Sequence, residues 1–245
     1  MRRYIELMLR LRWLVIVMTI AITVILASRI GQLRVEIDPN RFLPQSHPYV
    51  VASDRVEHIF GSRYVLVVGI TPLKGSIYDP AILGKVERIT RQMREVPGVV
   101  KGNILSFAAR KAKSITGTDE GMEVRPLMSE VPANPAQMED LRRRVVSNPA
   151  YRDILVSGDE RSVAVLVEFK DDPRGFQSIM ARVKPIIDAE RDPSVRIATG
   201  GLPVMLGTME LYSQRMAFLL PIAMVLIAVV LWFAFRSVQG LALPM

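Results

Sequence analysis

The 245-residue chain contains no cysteine. Disulfides, thiolate metal sites and cysteine nucleophiles are therefore excluded. Histidine is nearly missing too, with His47 and His58 the only two. Without cysteine, a zinc site built on them would have to draw carboxylates from elsewhere, and we read both as surface or cap residues. There is no G-x-S-x-G and no histidine at a strand end to serve a serine nucleophile. Gly200-Gly201 lacks the glycine spacing and the lysine of a phosphate loop. The paired carboxylates Asp159-Glu160 and Asp171-Asp172 fall in turns and read as caps. No catalytic set, metal site or cofactor site emerges, so an enzyme is not expected.

Charge is absent where it matters most. Residues 216–235 carry none, and Arg215 and Arg236 close the run. At ~1.5 Å per residue that is ~30 Å, the thickness of a bilayer's hydrocarbon core. A second apolar segment covers residues 11–30, uninterrupted from 13 to 27, with Arg12 and Arg29 at its edges, where they can snorkel. The basic start MRRYIELMLRLR also fits a signal peptide. However, Ala27-Ser28-Arg29-Ile30 matches a small-x-small cleavage site poorly, and a retained span is predicted. Neither apolar stretch holds an ionisable residue, so neither carries a proton relay. Thr19 and Thr23, one turn apart, are expected to bond their own backbone or a neighbouring helix. Pro221 is expected to bend the second span. The thirteen methionines are spread over spans and core helices and read as packing.

The basic residues orient the chain. Arg2, Arg3, Arg10 and Arg12 precede the first segment against Glu6 alone, and Arg236 follows the second. Short flanks decide topology, so both termini should be cytoplasmic and residues 31–215 exported, in a bacterial-type inner (plasma) membrane. Of the formal charge of +8, the exported part keeps only +3. The pI near 10.0 thus reflects membrane orientation, and nucleic acid is not an expected partner. Arg142-Arg143-Arg144, with Lys111 and Lys113, reads as a solvated face. Contact with anionic headgroups or an acidic partner is its alternative.

About 185 residues suffice for a real core. Leu33, Val35 and Ile37 alternate with charged residues in a half-buried strand, and Asp38-Pro39-Asn40 turns the chain. A helix near Val51, Val56, Ile59 and Phe60 should stop at Gly61. A strand over 64–70 follows, then a helix capped by Asp79-Pro80 with Ile82, Val86, Ile89, Met93 and Val96 at helical spacing. A second strand is expected over 99–107. The order recurs with a strand over 162–169, a cap at Asp172-Pro173, a helix through Phe176, Ile179, Val183, Ile186 and Ile187, and a strand over 195–199. Pro185 should kink or shorten that helix. Two β-α-β units in succession predict an α+β, ferredoxin-like (split β-α-β) domain. An insertion at about 108–158 holds a loop and a helix capped by Asn134-Pro135, with Met138, Leu141 and Val145 inward.

Gly200-Gly201-Leu202-Pro203 looks like a helix start, and no breaker other than Gly207 follows before the membrane. The helix is expected to run from Leu202 through Met216, ~20 Å above the bilayer. Gly200, Gly201 and Pro203 are therefore the candidate hinge, residues 202–215 a lever, and Pro221 a second coupling point.

Three stretches carry a resemblance. They are Val35-Glu36-Ile37-Asp38-Pro39-Asn40-Arg41-Phe42-Leu43-Pro44, Phe60-Gly61-Ser62 and, most specific, Gly200-Gly201-Leu202-Pro203-Val204. The last leads through Leu219-Leu220-Pro221 to Phe235-Arg236-Ser237-Val238-Gln239-Gly240. The chain resembles the amino-terminal part of a resistance–nodulation–division (RND) exporter of the MMPL-like branch, which exports hydrophobes and lipids. The resemblance implies a porter domain that captures substrate and passes it outward, powered by proton flux through acidic residues of a later span. None of those relay residues maps onto this sequence.

The resulting division is a cytoplasmic start and first span (1–30), a porter-like domain (31–215), a second span (216–235) and a cytoplasmic turn into a third span (236–245). Stopping at Leu241-Ala242-Leu243-Pro244-Met245, the sequence reads as a fragment, a truncated frame or one piece of a split transporter. Expected partners are the lipid bilayer, a hydrophobic small molecule or lipid, and the remaining spans or second half of the transporter, with a homo-oligomer left open. The alternative is a two-span sensor or adaptor with an extracytoplasmic ligand-binding domain. A membrane-anchored exported hydrolase is disfavoured for want of a catalytic set.

Overall fold

The computed structural model describes residues 12–29, 43–118, 121–172 and 174–236. The expected strand at 33–37, the turn at Asp38-Pro39-Asn40 and the start of a third span at 241–245 lie outside the described residues.

The chain divides into two units, residues 1–36 and 37–245. The first contains helix α1, Arg12–Arg29. Its described apolar side chains, Leu14, Val17, Met18, Ile22 and Val24 among them, are exposed. The Thr23 hydroxyl donates to the Thr19 carbonyl at 2.9 Å, and Ser28 donates to the Ile25 carbonyl at 2.7 Å. Such back-bonding removes the need for an outside partner, which suits a helix in apolar surroundings. The run Val17–Leu26 is the apolar stretch found within α1, shorter than a full span.

In the second unit, α2 (Pro48–Phe60) starts at His47, whose Nδ1 accepts from the Tyr49 N–H at 3.2 Å, and ends at Gly61. The imidazole is thus a cap. Strand β1 (Val65–Pro72) then alternates, with Leu66, Val68 and Ile70 fully buried. Helix α3 (Pro80–Met93) starts from the Asp79 carboxylate, which accepts from the Ala81 N–H at 2.8 Å. It turns Ile82, Leu83, Val86, Ile89 and Met93 inward at the helical period.

A hairpin of β2 (Lys113–Thr118) and β3 (Gly121–Pro126) and helix α4 (Pro135–Val146) follow. Strand β4 (Val163–Glu168), helix α5 (Phe176–Ala189) and strand β5 (Val195–Gly201) complete the core. The sheet order is β4-β1-β5, both pairings antiparallel, with Val67 opposite Leu166 and Val68 opposite Thr199. The buried strand residues and the inward faces of α3 and α5 form one cluster. The molecule is α+β, as the sequence implied.

Four expectations need correction. Residues 99–107 are not a strand: Lys101–Asn103 forms a 3-10 turn, flanked by isolated bridges from Val99 to Phe169 and from Leu105 to Leu166. Gly102 and Asn103 are poor strand formers, so the ladder survives only at its two apolar ends. The insertion contains the β2–β3 hairpin rather than only a loop before α4. Third, Asp172 does not cap α5. The helix starts from Gly175, while the Asp172 carboxylate accepts from the Arg174 N–H at 2.9 Å and the Arg182 guanidinium at 3.0 Å. Pro185 neither ends nor shortens α5, which runs through it.

The last element is α6, Leu202–Phe235, 34 residues in one helix. Among the described residues it is the one helix long and apolar enough to cross a membrane, with a mean hydropathy of 2.7 and none of its apolar window buried. Phe218 and Phe233 are each more than 70% exposed. Each such side chain gains about 1.5–3 kcal/mol on leaving water. Over twenty residues that sum is far too large for a helix standing in solvent.

Candidate coupling site

The site is the place where the sheet becomes the long helix. Gly200 and Gly201 end β5, paired with Val67 and Leu66 of β1. Gly201 then turns the chain as the cap residue of α6, at φ 102° and ψ 170°. A Cβ there would lie 2.1 Å from the Val65 carbonyl oxygen, so only glycine fits. Beside Gly200 the same position is open space. Pro203 is buried in the first turn of α6, where a missing N–H costs nothing.

From this corner α6 is fastened to the domain for about two turns. Leu206 is buried, and Gly207 lets the helix descend onto α5. A Cβ on Gly207 would meet the Met180 side chain at 3.0 Å and the Phe176 carbonyl oxygen at 3.1 Å. One turn later the Glu210 carboxylate accepts from the Phe176 N–H at 3.1 Å and the Gln177 N–H at 2.7 Å. These are the first two amides of α5, whose own cap, Gly175, has no side chain to offer. The Phe176 ring rests against Tyr64 with centroids 4.6 Å apart, next to β1. The root of α6, the start of α5 and the start of β1 therefore meet at one point.

Helix α5 is held along its length. At its middle, Arg182 bridges the Asp172 carboxylate and the Pro97 carbonyl, at 3.0 and 3.1 Å. Burial alone would raise the Asp172 pKa, but the Arg174 N–H and the guanidinium groups of Arg174 and Arg182 outweigh it and hold it below its ordinary value. Just past the helix end, Arg88 of α3 grips Glu190 with two bonds of 2.7 Å, and Lys85 donates to Asp192 at 2.7 Å. The Arg88 hydrogen bonds, opposed by burial, pull the Glu190 pKa down.

Beyond Glu210 the helix leaves the domain. Tyr212 and Met216 are exposed, and the Arg215 guanidinium lies 5.9 Å from the Tyr212 ring centroid, just before the uncharged segment. At the far end Arg236 sits in a left-handed cap, its N–H donating to the Trp232 carbonyl. Between α5 and the root of α6 runs a groove of about 330 Å³ lined by Met180, Ile187, Leu211, Thr199 and Gly207, with Lys184 among its charged lining residues.

Gly200, Gly201 and Pro203 are thus brought together. Pro221 is not among them: it lies inside α6, ~27 Å further along the axis. Sequence reasoning missed Gly175, Gly207 and Glu210. The available signal was Glu210 itself, the single acidic residue in the 34 of α6. The arginine run does not form a free cationic patch. Arg142 holds Glu160 with bonds of 2.7 and 3.1 Å, Arg143 pairs with Asp140 at 3.5 Å, and Arg144 binds Asp140 and the Leu127 carbonyl at 2.9 and 3.0 Å. Among the described residues, no group of three or more carboxylate or histidine side chains is placed to hold a metal ion.

No curated protein matches the chain. The sequence model of the MMPL family matches residues 75–245, which include the β5–α6 corner and all of α6 but not the stretches at 35–44 and 60–62. With well over half of its residues in that match, a membrane-length helix and an α+β domain joined to it, the chain belongs to the MMPL family, of RND-type membrane transporters.

Proposed function

We propose that this chain supplies the first span, the extracytoplasmic porter domain and the second span of an exporter that moves hydrophobic or lipid-like substrates outward, driven by protons. Residues 11–30 are the first span, 31–215 the porter domain with its insertion at about 108–158, and 216–235 the second span. Residues 236–245 are a cytoplasmic turn leading to a third span, and both termini are cytoplasmic. The proton path runs through spans other than these two, whose apolar stretches hold no ionisable residue. The bridges of Val99 and Leu105 beside β4 support a ferredoxin-like reading. They extend the order β5-β1-β4 by a fourth, reduced position, which is the strand order of a split β-α-β domain. The groove beside α6 supports an apolar or amphipathic substrate.

One observation carries the proposal: a single helix is rooted in the sheet at Gly201 and ends as twenty uncharged residues. A continuous helix transmits rotation and tilt along its length, whereas a loop at residue 212 would absorb them. The corner at Gly200, Gly201 and Pro203 is then the pivot, and residues 202–215 the lever. Pro221, which leaves the carbonyl four residues earlier without its helical partner, is the point of bending in the span. The test is Tyr212→Pro in the complete exporter, with efflux of a hydrophobic dye as readout and Tyr212→Ala as control. Tyr212→Pro should lower efflux at least tenfold while the domain's melting temperature stays within a few degrees. Undiminished efflux would refute the lever.

A further inference from the structure

We infer that Glu210 is the positioning residue that locks the root of α6 to α5, so that the two helices move as one body. The inference rests on the lever reading for its meaning in transport, but not for its test. Helix α5 has no cap of its own, since Gly175 at φ 85° offers no side chain. Its first two amides donate instead to a carboxylate 33 and 34 positions away in sequence, at 2.7 and 3.1 Å. A carboxylate there meets the positive end of the helix dipole and makes charge-assisted bonds. The fit is reciprocal: a Cβ on residue 175 would stand 2.7 Å from Glu210 Oε2, so the glycine opens the slot that the carboxylate fills. Gly207, one turn earlier, supplies the close approach that brings Glu210 within reach. The contact is also placed where it has leverage. Above it α6 is packed on the domain, and below it the exposed face of Tyr212 and Met216 begins.

A helix cap that merely adds stability and a latch that fixes two helices differ in one observable, the spread of distances between α5 and α6. The absence of cysteine from the sequence makes that spread directly measurable with two introduced labels. Spin labels at Lys184→Cys and Gln214→Cys, both exposed positions, report it by pulsed electron–electron resonance in lipid nanodiscs. The distance distribution should be narrow in the parent chain and at least twofold broader with Glu210→Ala. Amide exchange at Phe176 and Gln177 should accelerate more than tenfold. Glu210→Asp, one methylene shorter, should broaden the distribution as well and provides the same reading if the alanine variant does not fold. Ile89→Val in α3 lowers stability without touching the latch and should leave the width unchanged. An unchanged width in Glu210→Ala or Glu210→Asp, whatever the melting temperature, would overturn the latch. Broadening in Ile89→Val would overturn it too, by showing that any loss of stability loosens the pair. No substrate is involved, so failure here is separate from failure of the transport reading.

Discussion

Gly201 and Gly200 are neighbours with opposite requirements. At Gly201 both the positive φ and the 2.1 Å approach to the Val65 carbonyl forbid a side chain, whereas Gly200 faces open space. Gly201→Ala should therefore cost the domain about 2 kcal/mol or more, and Gly200→Ala no more than about 1 kcal/mol, as read by urea unfolding in detergent. Equal effects would show that the corner is not the constrained point. Asp172 gives a prediction in pH. Its pKa is held below the ordinary value of ~3.9, so its contribution is complete above about pH 5 and is lost as pH falls through the depressed value. Asp172→Asn should melt below the parent protein at pH 7, and the two should converge under acid conditions. A gap that persists at low pH would mean that Asp172 acts by shape rather than by charge.

At the scale of elements, exposure separates what is needed from what is decoration. Ile115 and Val124 face each other across the β2–β3 hairpin, yet both are at least half exposed. A cross-strand pair of this kind contributes about 0.2–1 kcal/mol. Replacing both with serine should shift stability by no more than about that amount, whereas Leu83→Ala in α3 should cost about 2–5 kcal/mol. Calorimetric melting of the two variants checks the contrast.

The same property explains what the sequence could reveal. Strands β1, β4 and β5 and helices α3 and α4 were legible because each buries a periodic face, and α6 because its last twenty residues carry no charge. The hairpin was not, because no described residue of β3 is buried and it leaves no alternating signature. The stretch 99–107 looked like a strand because its ends are apolar, and Lys101-Gly102-Asn103 overrode them. Asp172-Pro173 imitates a helix start. The first two amides of α5 donate to Glu210, and a contact across more than thirty residues has no local pattern. Half of the candidate site was visible for the same reason. The Gly200-to-Pro203 corner is a local motif, while its partners on α5 are brought in by packing.

For the molecule as a whole, charge and apolarity divide the work. The formal charge of +8 is unevenly spread, with +4 in residues 1–30 and +3 left for residues 31–215. Positive flanks of that kind hold chain ends on the cytoplasmic side, and on that ground the α+β domain is proposed to lie outside. The account turns on α6 being one unbroken rod that leaves the sheet at Gly201 and enters lipid after Arg215. A scan of single spin-labelled cysteines along residues 205–234, in bilayers and read for oxygen against polar relaxant accessibility, tests this most directly. The account predicts one continuous helical period, polar accessibility down to about residue 215, and a depth maximum near Leu226. A break in the period between residues 210 and 218, or polar accessibility throughout 216–234, would contradict it.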